Sequence, residues 1–131
     1  MKIFVNGCFD VLHRGHVELF KHAKGSGTFL TVGIDTDRRV KELKGDSRPI
    51  NSQEDRKFML ESIKYIDQVV IFDSEEELED LILHLSPHAM IVGEEYKNKR
   101  VVGHHPGIEL KFFKKINGYS TTNTLQHFAR R

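Results

Sequence analysis

Cysteine is almost missing from this 131-residue chain: Cys8 stands alone, so no internal disulfide can form, and the composition fits a reducing compartment. Charge of one sign is not in excess either. The 20 basic and 19 acidic residues leave a formal net charge of +1, so no broad cationic surface points to nucleic acid. No apolar run is long enough to cross a bilayer, which argues against a membrane partner. The opening Lys-Ile-Phe-Val-Asn is too short for the apolar region of a signal peptide, and the expectation is a cytoplasmic protein. Internal repeats and low-complexity tracts are also absent. The length predicts one domain, residues 1–131, around a single core.

What the chain does contain is a regular alternation of apolar strands and amphipathic helices. Strands are predicted over residues 3–5, 29–34, 69–72, 89–92 and 110–113. Val17, Leu19, Phe20 and Ala23 mark a first helix that ends at Gly25 and Gly27. Further helices are predicted from Ser52, over residues 75–85 and after Ser120. Ser52 with Asp55, and Ser74 with Glu77, have capping-box spacing, and Pro87 stops the helix before it. The charged stretch from Glu75 to Asp80 reads as a solvated helix face. This pattern predicts an α/β fold with a mostly parallel sheet and helices on both faces, because parallel strands need crossover connections. Ligands of such sheets bind beyond the carboxyl ends of the strands. Residues 36–51 and 94–107 read as polar loops, candidates for mobile lids.

The densest chemistry lies in the run Asn-Gly-Cys-Phe-Asp-Val-Leu-His-Arg-Gly-His, from Asn6 to His16. It leaves the first strand and enters the first helix. A helix start offers unpaired N–H groups and the positive end of the macrodipole, so an anion is favoured there, and Gly15 allows close approach to the backbone. His13 and His16 aimed at one spot predict that phosphate is handled chemically. Arg56 falls in the first turn of a helix, where the dipole disfavours a cation, so an anion is expected to compensate it; a salt bridge to Glu54, Asp55 or Asp67 is the alternative. Ser120, Thr121 and Thr122 open the last predicted helix and join hydroxyls to free N–H groups, as a phosphate site or as plain caps. Asp10 is expected to orient an imidazole or the loop backbone. Asp35 and Asp37 follow the second strand, where they either touch substrate hydroxyls or cap the loop. Arg48 contacts a phosphate or is solvated. Cys8 reads as a small strand-end residue rather than a nucleophile. His104 and His105 point in different directions with no cysteine or acidic ligand pattern beside them, so no metal site is predicted.

The His-x-Gly-His run resembles the signature of the cytidylyltransferase-like nucleotidyltransferases. Its context extends the likeness in order: Gly-Cys-Phe-Asp-Val-Leu before it, then Leu43-Lys44-Gly45-Asp46-Ser47-Arg48-Pro49 with Glu54-Asp55-Arg56, Gly93-Glu94-Glu95-Tyr96, and Gly118-Tyr119-Ser120-Thr121-Thr122. Nearly the whole chain is covered. It is most similar to the adenylyltransferase domain of ADP-heptose synthase, then to glycerol-3-phosphate cytidylyltransferase. The resemblance implies a Rossmann-like domain with a five-stranded parallel sheet of order 3-2-1-4-5. It implies transfer of a nucleotidyl group from ATP or CTP, with Mg2+, to a small phosphorylated acceptor such as heptose 1-phosphate, releasing pyrophosphate. A homodimer is a further implication. In that scheme His13, His16, Lys44 and Arg56 are catalytic, with Lys41 the competitor to Lys44. Gly7, Cys8, Phe9, Asp10, Gly15, Gly93, Ser120, Thr121 and Thr122 bind the nucleotide, and Asp37 and Arg48 the acceptor. Some positions depart from the pattern: Lys115 stands where cytidylyltransferases usually carry arginine, Val92 where heptose adenylyltransferases usually carry lysine, and Glu94 and Glu95 replace the customary glycine or aspartate. Competing readings are CDP-glycerol synthesis, a non-catalytic nucleotide-binding module, and an amino-acid-activating fragment, the last disfavoured by length.

Overall fold

Five parallel strands run through the structure, a computed structural model that describes residues 1–114. The elements are β1 (Lys2–Gly7), α1 (Arg14–Gly25), β2 (Phe29–Asp35), α2 (Asp37–Lys44), α3 (Gln53–Glu61), β3 (Gln68–Phe72), α4 (Glu75–Leu85), β4 (Ala89–Gly93), a short 3-10 turn (Glu94–Tyr96) and β5 (Glu109–Phe113). The sheet order is β3-β2-β1-β4-β5, as the resemblance implied. The predicted last helix, with Lys115, Ser120, Thr121 and Thr122, lies outside the described residues.

Side chains alternate across a strand, and β1 shows the consequence directly. Ile3 and Val5 enter one apolar cluster with Phe20 and Ala23 of α1 and Leu60 of α3. Phe4 enters the other, with Phe72, Met90 and Leu78 and Ile82 of α4. Both faces of β1 are thus covered, which is why residues 3–5 read as an uninterrupted apolar run. Phe4, Phe20, Leu30, Ile34, Leu60 and Ile82 are fully buried, each worth roughly 1.5–3 kcal/mol against exposure. Gly33 of β2 makes room for this packing. A Cβ there would lie 2.8 Å from Cζ of Phe4, so the ring occupies the space a side chain would need.

One expectation is corrected. Residues 36–51 are not all loop: α2 occupies Asp37–Lys44, with Thr36 as its N-cap accepting from the Arg39 N–H. Four of its eight residues are arginine or lysine, and only Val40 is buried, so the short helix gave almost no apolar periodicity. Gly45 ends it with φ +102°, a conformation costly for any side chain, while its N–H bonds the Lys41 carbonyl.

Chain order reverses between β1 and β4. From β1 the chain steps outward through β2 and β3, then returns to the other side of β1 for β4 and β5. The crevice above that reversal is where an open α/β sheet takes its ligand.

Candidate active site

A cavity of about 500 Å³ opens at this point, and the carboxyl ends of all five strands line it, from Gly7, Asp35, Phe72 and Gly93 to Phe113. His13, Gly15 and His16 line it from the start of α1, and Lys44 from the end of α2. Of the described residues expected to hold the nucleotide, Gly7, Cys8, Phe9, His13, Gly15, His16, Lys44 and Gly93 therefore converge on one space, whereas Asp10 and Arg56 lie off its lining.

The two histidines are held by the helix they begin. His13 is the N-cap, and its Nδ1 accepts the Gly15 N–H at 3.0 Å. His16 reaches back, its Nδ1 accepting the His13 N–H at 3.2 Å. The pair forms a capping box built from imidazoles, and the rings stack at 3.9 Å with 26° between their planes. Because Nδ1 accepts in both rings, each neutral ring carries its proton on Nε2. The cap bonds fix the orientation and tautomer of both rings beside the cavity. The first turn of α1 contains no acidic residue, so the dipole there is not offset by a carboxylate of its own helix.

The approach to the helix is strained and buttressed. Phe9 has φ 47°, a left-handed conformation that costs on the order of 1–3 kcal/mol for such a residue. Its ring is buried, edge-on to His16 at 5.5 Å and to Phe20 at 5.0 Å. Packing thus holds the bend that turns the chain from β1 toward His13.

Arg56 sits differently from expectation. Its side chain is fully buried and does not line the cavity. Nε donates to the Asn51 carbonyl at 3.1 Å, Nη1 to the carbonyls of Cys8 and Asp35 at 2.9 Å each, and Nη2 to Asp37 Oδ1 at 2.8 Å. One guanidinium therefore ties the motif loop, the end of β2, the start of α2 and the start of α3. The anion that offsets the dipole penalty is Asp37, not Glu54, Asp55 or Asp67; Asp67 pairs with Lys24. Asp37 and Arg48, expected at the acceptor, likewise lie off the cavity lining.

Arg48 instead donates from Nε to Asp10 Oδ2 at 2.9 Å. Asp10 is buried and also accepts the Ile50 N–H at 2.7 Å and the Asn51 N–H at 2.8 Å. It orients loop backbone, one of the two roles expected of it, and so pins residues 48–51 to the motif loop. Burial is the largest single influence on its carboxyl and pushes the pKa up. The N–H groups of Asn51 and Ile50 and the Arg48 guanidinium together outweigh it and hold the pKa below the ordinary carboxylate value. A lowered folded-state pKa means stability that is fully present above the unfolded pKa of about 3.9 and lost as pH falls through the folded one. Asp10→Asn is therefore expected to lose about 1.5–3 kcal/mol near neutral pH, with the deficit shrinking in acid. Urea titrations near pH 7 and pH 3 check this; an equal deficit at both would mean the charge is not what stabilises the loop.

Cys8 lies on the cavity wall with Sγ 3.6 Å from Asp35 Oδ2. Burial, then the Asp35 charge, pushes its thiol up to about 11. Near pH 8 only about one molecule in a thousand carries the thiolate. Iodoacetamide labelling is expected to be slow there and to accelerate toward pH 11, with Cys8→Ala retaining turnover; fast labelling near pH 7 would revive a nucleophilic role.

The sequence reading missed Arg39, which lines the cavity from α2. Recognising a helix behind the Thr36 cap would have set Arg39 and Leu43 one turn apart on one face. Glu75, read as solvated, also lines the cavity, as do Tyr96 and Arg100, although Arg100 pairs with Glu75 at 3.4 Å and Glu79 at 3.1 Å. Val92, Gly93 and Glu95 of the departing segment are on the wall as well. His104 bonds the Ile108 carbonyl and His105 the Gly107 N–H, so each serves its own turn.

The sheet order and the crevice at its reversal define a Rossmann-like α/β domain with a cavity beside the start of its first helix. A family model described as Cytidylyltransferase-like matches residues 4–126, and the chain belongs to that family of nucleotidyltransferases. It is 47% identical over 124 residues to Bifunctional protein HldE of Aliarcobacter butzleri, covering 95% of this chain and 26% of that protein. With the protein of the same name from Campylobacter fetus the identity is 46% over 123 residues, covering 94% and 27%. The chain thus spans about a quarter of the length of these curated relatives. Among solved structures, the lipopolysaccharide core biosynthesis protein from Thermoplasma volcanium matches with TM-score 0.69 at 20% identity, over 88% of this chain and 96% of that one. Pantothenate synthetase from Thermus thermophilus matches with TM-score 0.61 at 15% identity, over 88% and 56%. At these identities the likeness is one of fold.

Proposed function

We propose that this domain transfers a nucleotidyl group from ATP or CTP to a small sugar phosphate, heptose 1-phosphate or a close analogue, and releases pyrophosphate. The observation that carries the reading is the imidazole pair of His13 and His16, locked by its own capping box on the wall of the cavity at the sheet's reversal. A phosphomonoester is already an anionic nucleophile and needs alignment and positive charge rather than a strong base. Its oxygen forms a bond to the α-phosphorus as the bond from that phosphorus to the bridging oxygen breaks, and pyrophosphate leaves. Nε2–H groups of His13 and His16 donate to the α-phosphate oxygens. Lys44, at the end of α2 beside Gly45, neutralises the departing phosphates.

The described residues contain no group of three or more His, Cys, Asp or Glu side chains arranged for a metal. Mg2+ fits as a counter-ion on the triphosphate, where it would screen the phosphate charge. Heptose as the acceptor rests on the likeness to the HldE proteins and the ADP-heptose synthase motifs. The described helices include none long and apolar enough to cross a membrane. A cytoplasmic location for the reaction is part of the proposal.

The test is pyrophosphate release with Mg2+, crossing ATP and CTP with heptose 1-phosphate and glycerol 3-phosphate. Release with heptose 1-phosphate supports the reading; release only with CTP and glycerol 3-phosphate redirects the acceptor. No release with any pair, from protein that binds nucleotide, would favour a binding module.

A further inference from the structure

Arg39 lines the cavity from α2 with contacts already arranged as an anion receptor. Its Nε donates to Asp35 Oδ1 at 2.8 Å, and the guanidinium carbon lies 5.9 Å from the centre of the Phe72 ring. The side chains of Arg39 and Asp35 are only 16% and 8% exposed, so the pair is largely removed from solvent screening. A guanidinium anchored at Nε by a carboxylate and supported by a ring is fixed in plane. Among the described residues neither Nη1 nor Nη2 makes a hydrogen bond, and both belong to the fork that binds phosphate oxygens in pairs.

Its place in the cavity separates it from the histidines. His16 packs on Phe9, which packs on Phe20, in the apolar cluster on the α1 face of the sheet. Phe72, under Arg39, belongs to the cluster on the α4 face. In a displacement at phosphorus the attacking and leaving oxygens lie on opposite sides, so the acceptor needs an anion receptor apart from the one that holds the triphosphate.

Resting on the nucleotidyl-transfer reading, we infer that Arg39 binds the attacking phosphate of the acceptor, and that Asp35 is a positioning residue that fixes its guanidinium. Asp37 and Arg48, engaged by Arg56 and Asp10, give up that role to it.

The test titrates inorganic phosphate, as a surrogate for the acceptor group, into protein saturated with the α,β-methylene analogue of whichever of ATP and CTP binds. Wild type, Arg39→Lys, Arg39→Gln and the double variant Arg39→Gln with Asp35→Asn are compared by calorimetry, and each is first melted to confirm folding. The double variant removes both charges, so a fold lost in Arg39→Gln through an unpaired Asp35 is recovered. The expected result is a phosphate Kd raised at least tenfold in the glutamine variants and several-fold in Arg39→Lys, with nucleotide Kd changed less than twofold. Unchanged phosphate affinity overturns the inference, as do absence of phosphate binding by wild type and a loss confined to nucleotide. If wild type binds neither nucleotide, the nucleotidyl-transfer reading fails, and the same titration into free protein decides the role of Arg39 by itself.

Discussion

His13→Asn and His16→Gln, made singly, are expected to lower turnover by about 10²–10³-fold while the melting temperature stays within a few degrees of wild type. The choice of substitutes follows from the geometry. Asparagine is a strong N-cap, and glutamine at the third helical position is the usual reciprocal partner, so both variants can restore the bonds that His13 and His16 now make through Nδ1. Neither restores an imidazole ring at the start of α1. Alanine at either position would confound the two effects, because lost caps alone cost about 1 kcal/mol. A loss of kcat in the cap-preserving variants at unchanged stability is the signature of a group used in the transition state. Variants that keep turnover would reduce the histidines to capping residues.

Arg56→Lys is expected to cause the largest loss of stability of any single substitution near the site, about 3–5 kcal/mol. The planar fork reaches four acceptors on four segments, and a lysine ammonium on a flexible stem cannot serve them together. The carbonyls of Cys8 and Asp35 would be left without this donor. Chemical denaturation checks the size of the loss. Activity measured well below the melting temperature should then recover in the fraction that remains folded. A variant of full stability whose only defect is a raised KM for nucleotide would instead show that Arg56 turns into the cavity and binds phosphate, as the sequence reading expected.

The sequence misplaced Arg56 for a physical reason. The dipole argument correctly identified a cation that needed an anion, but partner identity depends on tertiary contacts between residues far apart in the chain, here Asp37, Cys8 and Asp35. The five strands and the long helices were legible because their apolar residues repeat with the period of the element. Ile3 to Val5 and Leu30 to Ile34 are buried on both faces and left no ambiguity. α2 was not legible, since a helix with one buried residue carries no periodic signal. Arg39 was hidden with it. The histidines were legible in position but not in mechanism: that Nδ1 caps the helix, and thereby selects the tautomer, is visible only once the backbone is folded.

The account depends on where the α-phosphate lies, and a crystal structure with the α,β-methylene analogue of ATP or CTP measures that directly. It predicts an α-phosphate oxygen within hydrogen-bonding distance of Nε2 of both His13 and His16, with the capping bonds through Nδ1 preserved. Phosphates bound elsewhere in the cavity, or imidazoles turned from them, would contradict it.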